Sequence, residues 1–480
     1  MKYRGFFLMA LSLVVINTAA QRQQLNFDKG WKFHFGHAAI PEKDFNYSIV
    51  NIFSKSGAAA NTAIDPKFND SKWRALDIPH DWAVELPFIY KDNFDVMSHG
   101  YKPVGGLFPE TSIGWYRKHF TVAKSDSGLR FQVQFDGMFR DANIWLNGFY
   151  LGNNKSGYVG ASYDITDYIN FSGENVLVVR VDATQYEGWF YEGAGIYRHV
   201  WLNKFSNVHI PIDGQFVYSS VNKNVATVSI EVDVKNAGLT PSVFSVSSYL
   251  TDRSGKKLVQ TKEYAISLPV NGTTTVRQGM TLTGPKIWSL EDPYLYRIVS
   301  VIKKDGKIID SVRQRFGIRT IEIKPNGVFL NGQHVKLKGV NNHQDHAGVG
   351  SALPDYLQYY RVSLLKRMGV NAYRTSHHAP TPELLDACDS LGMLVMAEQR
   401  LLNSSPEYMD QFERLIKRDR SRASVFMWSI GNEEGWIHTN SVGKRIAQTF
   451  IAKQKELDPT RTCTYAADLP NVYNGINEVI

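Results

Sequence analysis

Hydrophobic and polar residues alternate with a period of two in the first part of the chain. Residues 131–136 place every second side chain on one face, as a half-buried strand does. Asn147-Gly148 follows the apolar run 143–146, and an Asn-Gly pair after such a run is typical of a tight hairpin turn. Residues 175–182 are apolar almost throughout, which indicates a strand buried on both faces. Residues 21–205 are therefore predicted to form a jelly-roll β-sandwich.

Strand patterns continue from residue 206 to residue 318. Examples run over residues 226–234, 243–250 and 296–302, and turns rich in Pro, Gly, Asp and Asn separate them. No stretch of this region shows the period of an amphipathic helix. The pattern is typical of a small immunoglobulin-like β-sandwich.

After residue 318 the pattern changes to strands that alternate with helices. Strands are predicted at residues 335–343, 371–376, 394–398, 425–430 and 462–466, and a helix is predicted between each strand and the next. One largely apolar face of the first helix is marked by Leu357, Tyr360, Arg361, Leu364, Leu365 and Met368. Buried strands that alternate with helices predict a parallel (β/α)8 TIM barrel, of which five strands fall before Ile480. The predicted fold class is multidomain β plus α/β: a jelly-roll sandwich, an immunoglobulin-like sandwich and an incomplete barrel over residues 319–480.

The run Met427-Trp-Ser-Ile-Gly-Asn-Glu-Glu434 carries the strongest chemical signal in the sequence. It starts as an apolar strand and stops abruptly at Asn432, Glu433 and Glu434, and the catalytic face of such a barrel is formed where its strands end. A carboxylate beside an amide suits sugar chemistry, because the acid can protonate a glycosidic oxygen while the amide holds a ring hydroxyl. The alternative is a strand end with solvated acids.

Composition and charge narrow the class of partner. The chain has 480 residues, is 43% hydrophobic and carries a formal net charge of +8, with its basic residues scattered. No nucleic-acid partner is expected, because such proteins concentrate their basic residues on one face. Cys388 and Cys463 are the two cysteines, and both fall in predicted barrel elements. Buried free thiols are therefore expected rather than a disulfide.

The N-terminus has the pattern of a secretory signal peptide. Lys2 and Arg4 precede the apolar residues 6–16, and Thr18-Ala19-Ala20 looks like a cleavage site. The apolar run is too short to cross a bilayer, and no other stretch is long enough, so no membrane span is expected. Residues 1–20 are predicted to be removed from a protein that is exported to a bacterial periplasm or secreted.

Seven motifs together make the chain similar to family 2 of the glycoside hydrolases, the group of β-galactosidases, β-glucuronidases and β-mannosidases. In chain order they are IPHDW (78–82), GWYRKHF (114–120), WLNG (145–148), GAGIYRHVWL (193–202), NGQHVKLKGVNNHQDH (331–346), NAYRTSHHAP (371–380) and WSIGNE (428–433). One motif of this kind would be weak, whereas seven in one order are specific. The order of the three predicted modules is also that of the family, and the resemblance is strongest to a bacterial β-galactosidase.

The resemblance implies a catalytic role for one residue and supporting roles for its neighbours. It makes Glu433 the general acid/base and Asn432 the amide that holds the sugar 2-hydroxyl. Arg374 would stabilise the nucleophile carboxylate, and Glu398 would orient its neighbours. The alternative for Arg374 is a structural ion pair in the barrel.

Sugar contacts are implied for four more residues. His343 and His377 would contact sugar hydroxyls, and Trp189 and Tyr191 of the first sandwich would reach over the pocket. Each has a structural alternative: a hydrogen-bonded structural histidine for the first two, and packing at a domain interface for Trp189 and Tyr191.

Two features depart from the family pattern. The family's nucleophile is a second glutamate on the seventh barrel strand, which would lie beyond Ile480, so residues 1–480 alone are expected to be inactive. Some members also hold magnesium with Glu and His side chains shortly after the third strand. Residues 399–404 offer no such ligands, and no metal or other cofactor is expected.

The function implied is that of a retaining exo-β-glycosidase, foremost a β-galactosidase, acting on terminal β-linked sugars of plant or algal oligosaccharides and polysaccharides. A β-glucuronidase remains an alternative. A β-mannosidase is disfavoured by Gly431, since family mannosidases tend to carry a second Asn before the acid/base. A non-catalytic carbohydrate-binding protein is the alternative from another class, and a homo-oligomer is also open.

Overall fold

A computed structural model describes residues 22–47, 55–56, 60–89, 102–188, 190–435, 437 and 439–467. The expected signal peptide and Trp189 lie outside these residues. Among the helices of the described residues, none combines the length and the apolar character that a bilayer crossing demands.

The first module is a sandwich of two antiparallel sheets. Its strands are β1 (Gln23–Asn26), β2 (Trp31–Phe35), β3 (Arg74–Leu76), β4 (Ile113–Thr121), β5 (Arg130–Phe135), β6 (Ala142–Leu146), β7 (Phe149–Asn154), β8 (Ala161–Asp164), β9 (Glu174–Asp182) and β10 (Val200–Phe205). One sheet has the order β1-β10-β5-β8 and the other β3-β2-β4-β9-β6-β7. Short 3-10 helices lie at Pro41–Asp44, Trp82–Glu85, Lys124–Asp126 and Thr166–Tyr168.

Local sequence explains two features of this sandwich. The predicted hairpin turn is confirmed: Leu146 pairs with Phe149, and Asn147 and Gly148 have φ values of 52° and 86°. The predicted central strand is also confirmed, because β9 lies between β4 and β6 and its interior is buried on both faces. Continuous apolar character and a central position in the sheet therefore go together.

The second module is an immunoglobulin-like sandwich, as predicted. Its strands are β11 (Val208–His209), β12 (Gln215–Asn222), β13 (Val225–Asn236), β14 (Ser242–Thr251), β15 (Lys257–Gln260), β16 (Tyr264–Leu268), β17 (Thr273–Thr283), β18 (Tyr296–Lys304) and β19 (Lys307–Phe316). β13 pairs with β11, β12 and β17, and β14 pairs with β15, β16 and β18, which also pairs with β19. Buried residues alternate along β13, so its apolar face closes the core between the sheets.

The third module is a partial (β/α)8 barrel behind a small antiparallel sheet. The sheet consists of β20 (Ile321–Lys324), β21 (Gly327–Leu330) and β22 (Gln333–Val335). The barrel strands are β23 (Gly339–Asn342), β24 (Ala372–Thr375), β25 (Leu394–Glu398), β26 (Val425–Asn432) and β27 (Cys463–Ala466). The helices between them are α1 (Asp355–Arg367), α2 (Pro382–Leu391), α3 (Pro406–Asp419) and α4 (Ser441–Leu457).

The five barrel strands are parallel and pair in chain order. β26 is buried along its whole length, since it has neighbours on both edges and helices behind it. Cys388 and Cys463 are free and buried, as expected. The predicted fold class is therefore confirmed in all three modules.

One sequence-based expectation about α1 is wrong. The apolar face predicted from the sequence includes Tyr360 and Met368, but these side chains are 50% and 76% exposed. The buried residues of α1 are Leu357, Gln358 and Val362. β23 ends the order of the described parallel sheet, so α1 has one neighbouring helix, α2, rather than two, and part of its apolar surface stays outside.

Candidate active site

Polar side chains from neighbouring barrel strands meet at the edge where the strands end. Arg374 lies on β24, Glu398 ends β25 and Asn432 ends β26. His343 follows the last residue of β23, and Glu433 follows the last residue of β26. Because the strands are parallel, their carboxyl ends share one edge, and the predicted site residues are brought together there.

Arg374 joins two of the other strands. Its Nε lies 2.7 Å from Glu398 Oε2, and its Nη2 donates to Asn432 Oδ1 at 2.6 Å. The Asn432 side chain is therefore fixed with its oxygen towards the guanidinium. Arg374 thus forms the structural ion pair that was the alternative to its implied catalytic role. It also orients Asn432, which is expected to bind the sugar.

Glu398 is fully buried and accepts hydrogen bonds on both oxygens. Its Oε1 accepts from the backbone N–H of His377 at 2.7 Å, and its Oε2 accepts from Ser429 Oγ at 2.8 Å as well as from Arg374. Burial raises the pKa of Glu398, although the Arg374 charge opposes the rise. Both oxygens of the carboxyl are occupied by partners, and the orienting role that the resemblance implies for Glu398 stays a prediction.

Glu433 differs from Glu398 in its exposure and in its hydrogen bonding. It is exposed, and its backbone adopts a φ of 40° while its N–H donates to Ala466 O of β27 at 2.9 Å. No side chain of the described residues hydrogen-bonds its carboxylate. A non-glycine residue at positive φ is uncommon, and such residues occur in turns and at functional sites. The strand end therefore presents this carboxylate outward, towards whatever occupies the edge of the barrel.

His343 and His377 lie under an aromatic side chain from the first module. The ring of Phe190 is 4.3 Å from the His343 ring and 5.4 Å from the His377 ring, at interplanar angles of 34° and 31°. Burial lowers the pKa of His343, and it lowers the pKa of His377 to about 4 despite a hydrogen bond with Asn432. Both imidazoles are therefore neutral near pH 7 and can donate to or accept from a hydroxyl.

Tyr191 lies at the junction of the first module and the barrel. Its hydroxyl donates to Asp81 Oδ2 at 2.8 Å, and the same oxygen accepts from the backbone N–H of Ser351 at 2.8 Å. Asp81 Oδ1 accepts from the N–H of Ala194 at 2.9 Å. A Cβ on Gly350 would lie 2.2 Å from Asp81 Oδ2, so the loop approaches closely only because this residue is glycine. The bond to Asp81 favours the interface alternative for Tyr191.

Glu434 connects to the site through two residues, Tyr465 and Arg400, that the sequence analysis did not single out. Glu434 Oε2 accepts from Tyr465 Oη at 2.6 Å, and Glu434 Oε1 lies 3.9 Å from Arg400 Nη1. Arg400 also donates to the backbone oxygen of Glu187 in the first module. Arg400 lies two residues after the end of β25, and an arginine directly after a buried barrel strand was the signal in the sequence that could have indicated it.

The described residues contain one group with the spacing of a metal site, formed by His199, Asp355 and Glu383. Both ring nitrogens of His199 are already engaged, with Asp28 at 2.6 Å and with Asp355 at 2.8 Å. Burial opposes the positive charge, but these hydrogen bonds outweigh it and raise the pKa of His199 to about 10. A protonated imidazole has no lone pair for a metal, so the group does not fit a cation site.

Comparison with known proteins assigns the chain to a family. Three models match it in order: "Glycosyl hydrolases family 2, sugar binding domain" over residues 58–206, "Glycosyl hydrolases family 2" over 208–319, and "Glycosyl hydrolases family 2, TIM barrel domain" over 321–405 and 402–479. The chain belongs to glycoside hydrolase family 2.

Its relatives include proteins named for two sugars. It is 32% identical over 500 residues to the β-galactosidase BoGH2A of Bacteroides ovatus, covering 95% of this chain and 55% of that protein. It is 27% identical over 465 residues to a β-glucuronidase of Formosa agariphila, covering 90% of this chain and 46% of that protein. The chain spans about half the length of these relatives.

A solved structure supports the same assignment. The crystal structure of a family 2 member from Bacteroides cellulosilyticus matches with a TM-score of 0.80 at 30% identity. The match covers 94% of this chain and 58% of that one.

Proposed function

We propose that this chain carries the acid/base half of a retaining exo-β-glycosidase, foremost a β-galactosidase that removes terminal β-linked sugars from plant or algal glycans. The observation that carries the proposal is the pairing of an exposed Glu433 with an Asn432 that Arg374 holds in place. The Asn432 oxygen accepts from Arg374 at 2.6 Å, and the side chain also hydrogen-bonds His377; because the amide N–H2 group carries two donors, at least one can be given to a sugar hydroxyl.

In the proposed reaction, Glu433 protonates the leaving glycosidic oxygen and later activates the water that releases the sugar. The retaining route also needs a nucleophilic carboxylate about 5–5.5 Å from the acid/base. Glu398 is bound by Arg374 and Ser429, and Glu434 is bound by Tyr465, so we assign neither as the nucleophile. Neutral His343 and His377 would contact sugar hydroxyls, with Phe190 fixing their rings.

The first test is Glu433→Gln in the protein expressed at its full natural length. Loss of the general acid should lower kcat/KM about 10²–10⁴-fold on disaccharides, whose leaving groups need a proton. Aryl glycosides with acidic leaving groups should suffer less in the first chemical step. Glu456→Gln, at an exposed position on α4, is the matched control. Unchanged hydrolysis of disaccharides by Glu433→Gln would refute the assignment.

A β-glucuronidase is the second candidate, because relatives with that name match this chain over most of its length. Rates on the p-nitrophenyl β-galactoside, β-glucuronide and β-mannoside separate the sugars. If kcat/KM is highest on the glucuronide, the preferred sugar is a uronic acid rather than galactose, and the proposed role of Glu433 is unchanged. We also propose that the protein is exported after removal of residues 1–20. Identifying the N-terminal residue of the mature protein tests this.

A further inference from the structure

A cavity of about 630 Å³ lies between the second module and the barrel, at the end where the barrel strands begin. Its walls come from β12, from the segment before β20, from the loop that precedes β26 and from the segment before β27. The proposed active site lies at the opposite ends of these strands. The volume falls in the range of small-molecule sites, which often occur where domains meet.

Positive charge dominates the walls of this cavity. Five cationic side chains line it: Lys223, Arg319, Arg420, Arg422 and Arg461. Among the described lining residues, Glu322 is the one carboxylate, and it is exposed and pairs with Lys324 at 3.1 Å. Two of the five are paired with carboxylates outside the lining, Arg422 with Asp386 and Asp389 and Arg461 with Asp458 at 2.8 Å. The excess of positive charge in the cavity therefore comes from Lys223, Arg319 and Arg420.

Two of the arginines are bound by backbone oxygens instead of carboxylates. Arg319 donates from Nε to Ala423 O and from Nη2 to Val425 O, both at 2.7 Å. Arg420 donates from Nη1 to Leu457 O at 2.8 Å. These bonds orient the guanidinium groups without a direct ion pair, and each group keeps further N–H donors. Carboxylates lie near enough to act on both charges, Asp458 and Asp389 on Arg319 and Asp233 and Asp458 on Arg420, so the charges are partly compensated.

The charges are also close to one another. Arg461 Nε donates to Val425 O at 2.7 Å, the same oxygen that accepts from Arg319, so the two guanidinium groups are immediate neighbours. Burial and the Arg461 charge lower the pKa of Arg319 to about 9. Arg420 Nε is buried and has no hydrogen-bond partner among the described residues, but an atom with so little exposed surface does not face the cavity. The donors that Arg420 can offer to a ligand are therefore on its outer guanidinium nitrogens.

We propose that this cavity binds an oxyanion, with the free N–H groups of Arg319 and Arg420 as its main donors. Planar guanidinium groups bind sulfate, phosphate and carboxylate through paired hydrogen bonds, which suits two neighbouring arginines. The oxyanion could arrive as an inorganic ion or as the sulfate ester of a small sugar, since the volume admits either. The site does not depend on the proposed glycosidase activity.

Titration calorimetry at constant ionic strength tests this site, with sodium sulfate and galactose 6-sulfate as probes and galactose and sodium chloride as references. The wild-type chain should bind sulfate saturably. Arg420→Gln should weaken binding about tenfold or more, since a charged hydrogen-bond donor is lost. Ser220→Trp should do the same by filling the cavity while every charge remains. Thr281→Trp, at an exposed position of the same module outside the cavity, is the matched control.

The outcomes separate the two sources of the ion. Much tighter binding of galactose 6-sulfate than of sulfate, with no binding of galactose, supports a sugar sulfate. Equal binding of both supports a free oxyanion. Absence of saturable sulfate binding in a folded wild-type chain, or equal binding by wild type and Ser220→Trp, overturns the proposal. Glu433→Gln should bind as wild type does, so failure of the proposed catalysis would leave this result unaffected.

Discussion

Replacing Arg374 with Met should show how strongly the buried ion pair holds the edge of the barrel together. Glu398 is fully buried, and Arg374 is its one cationic partner among the described residues, at 2.7 Å. Without the guanidinium, Glu398 keeps only the hydrogen bonds from Ser429 and from the N–H of His377. Breaking one partner of a buried pair costs about 3–5 kcal/mol, so Arg374→Met should lose that much unfolding free energy at pH 7.

The loss should depend on pH in a defined direction. Burial already raises the pKa of Glu398 in the folded protein, and removing the Arg374 charge raises it further. A carboxyl whose pKa is raised on folding favours the folded state only while it is protonated. The deficit of Arg374→Met should therefore be smallest where Glu398 is protonated in both folded proteins, grow as the pH rises through the wild-type folded pKa, which lies above 4.5, and level off once the folded carboxyl of the variant ionises.

Urea unfolding followed by circular dichroism measures these differences. Arg374→Met/Glu398→Gln removes both charges, so it should be more stable at pH 7 than the sum of the two single changes predicts. Arg367→Met, at the exposed end of α1, should stay within about 0.5 kcal/mol of wild type. A loss below about 1 kcal/mol for Arg374→Met, or strict additivity in the double variant, would refute the reasoning.

Three other changes test the junction between the modules. Tyr191→Phe removes the 2.8 Å bond to Asp81 and should lower the unfolding free energy by about 1.5–3 kcal/mol in urea; an unchanged midpoint would contradict this. Gly350→Ala places a methyl group 2.2 Å from Asp81 Oδ2, whereas Gly348→Ala, also at positive φ, meets no atom within 4 Å. Gly350→Ala should therefore be cleaved much faster than Gly348→Ala in limited proteolysis, because Gly348→Ala carries the backbone strain alone. Burial opposes the charge of His199, but hydrogen bonds to two carboxylates raise its pKa from 6.5 to about 10. The wild type should consequently lose stability relative to His199→Gln between these pH values, and parallel melting-temperature profiles would exclude the effect.

The fold could be predicted largely because each element carries its own local signal. The Asn147-Gly148 turn, the apolar interior of β9 and the strand that ends at Asn432 are each determined by residues adjacent in sequence. The face of α1 was predicted wrongly for the opposite reason. Apolar periodicity shows which side chains could pack inward, but the number of neighbouring elements decides which of them do, as exposed Met368 illustrates.

In the candidate site, too, the residues with a local sequence signal could be predicted and the long-range contacts could not. Glu433 and Asn432 could be located from sequence because a barrel strand delivers its last residues to a known edge. The contact of Phe190 with His343, and the bond from Arg400 to Glu187, join residues more than 150 positions apart, and no local pattern encodes such pairs. The proposed catalytic carboxylate could be predicted from its position at a strand end, whereas the contacts of the first module with the barrel edge could not.

The contrast between the two carboxylates shows how one barrel edge can hold a hydrogen-bonded network beside Glu433, the proposed acid/base. Glu398 is buried, and its charge is used to orient Arg374, which in turn fixes the oxygen of Asn432. Glu433 follows Asn432 directly, yet its positive φ turns its carboxylate away from this network into solvent. A general acid/base must exchange protons with substrate and water, so it has to stand outside the hydrogen bonds that hold its neighbours. The chain achieves this separation within two consecutive residues, because the strand ends between them.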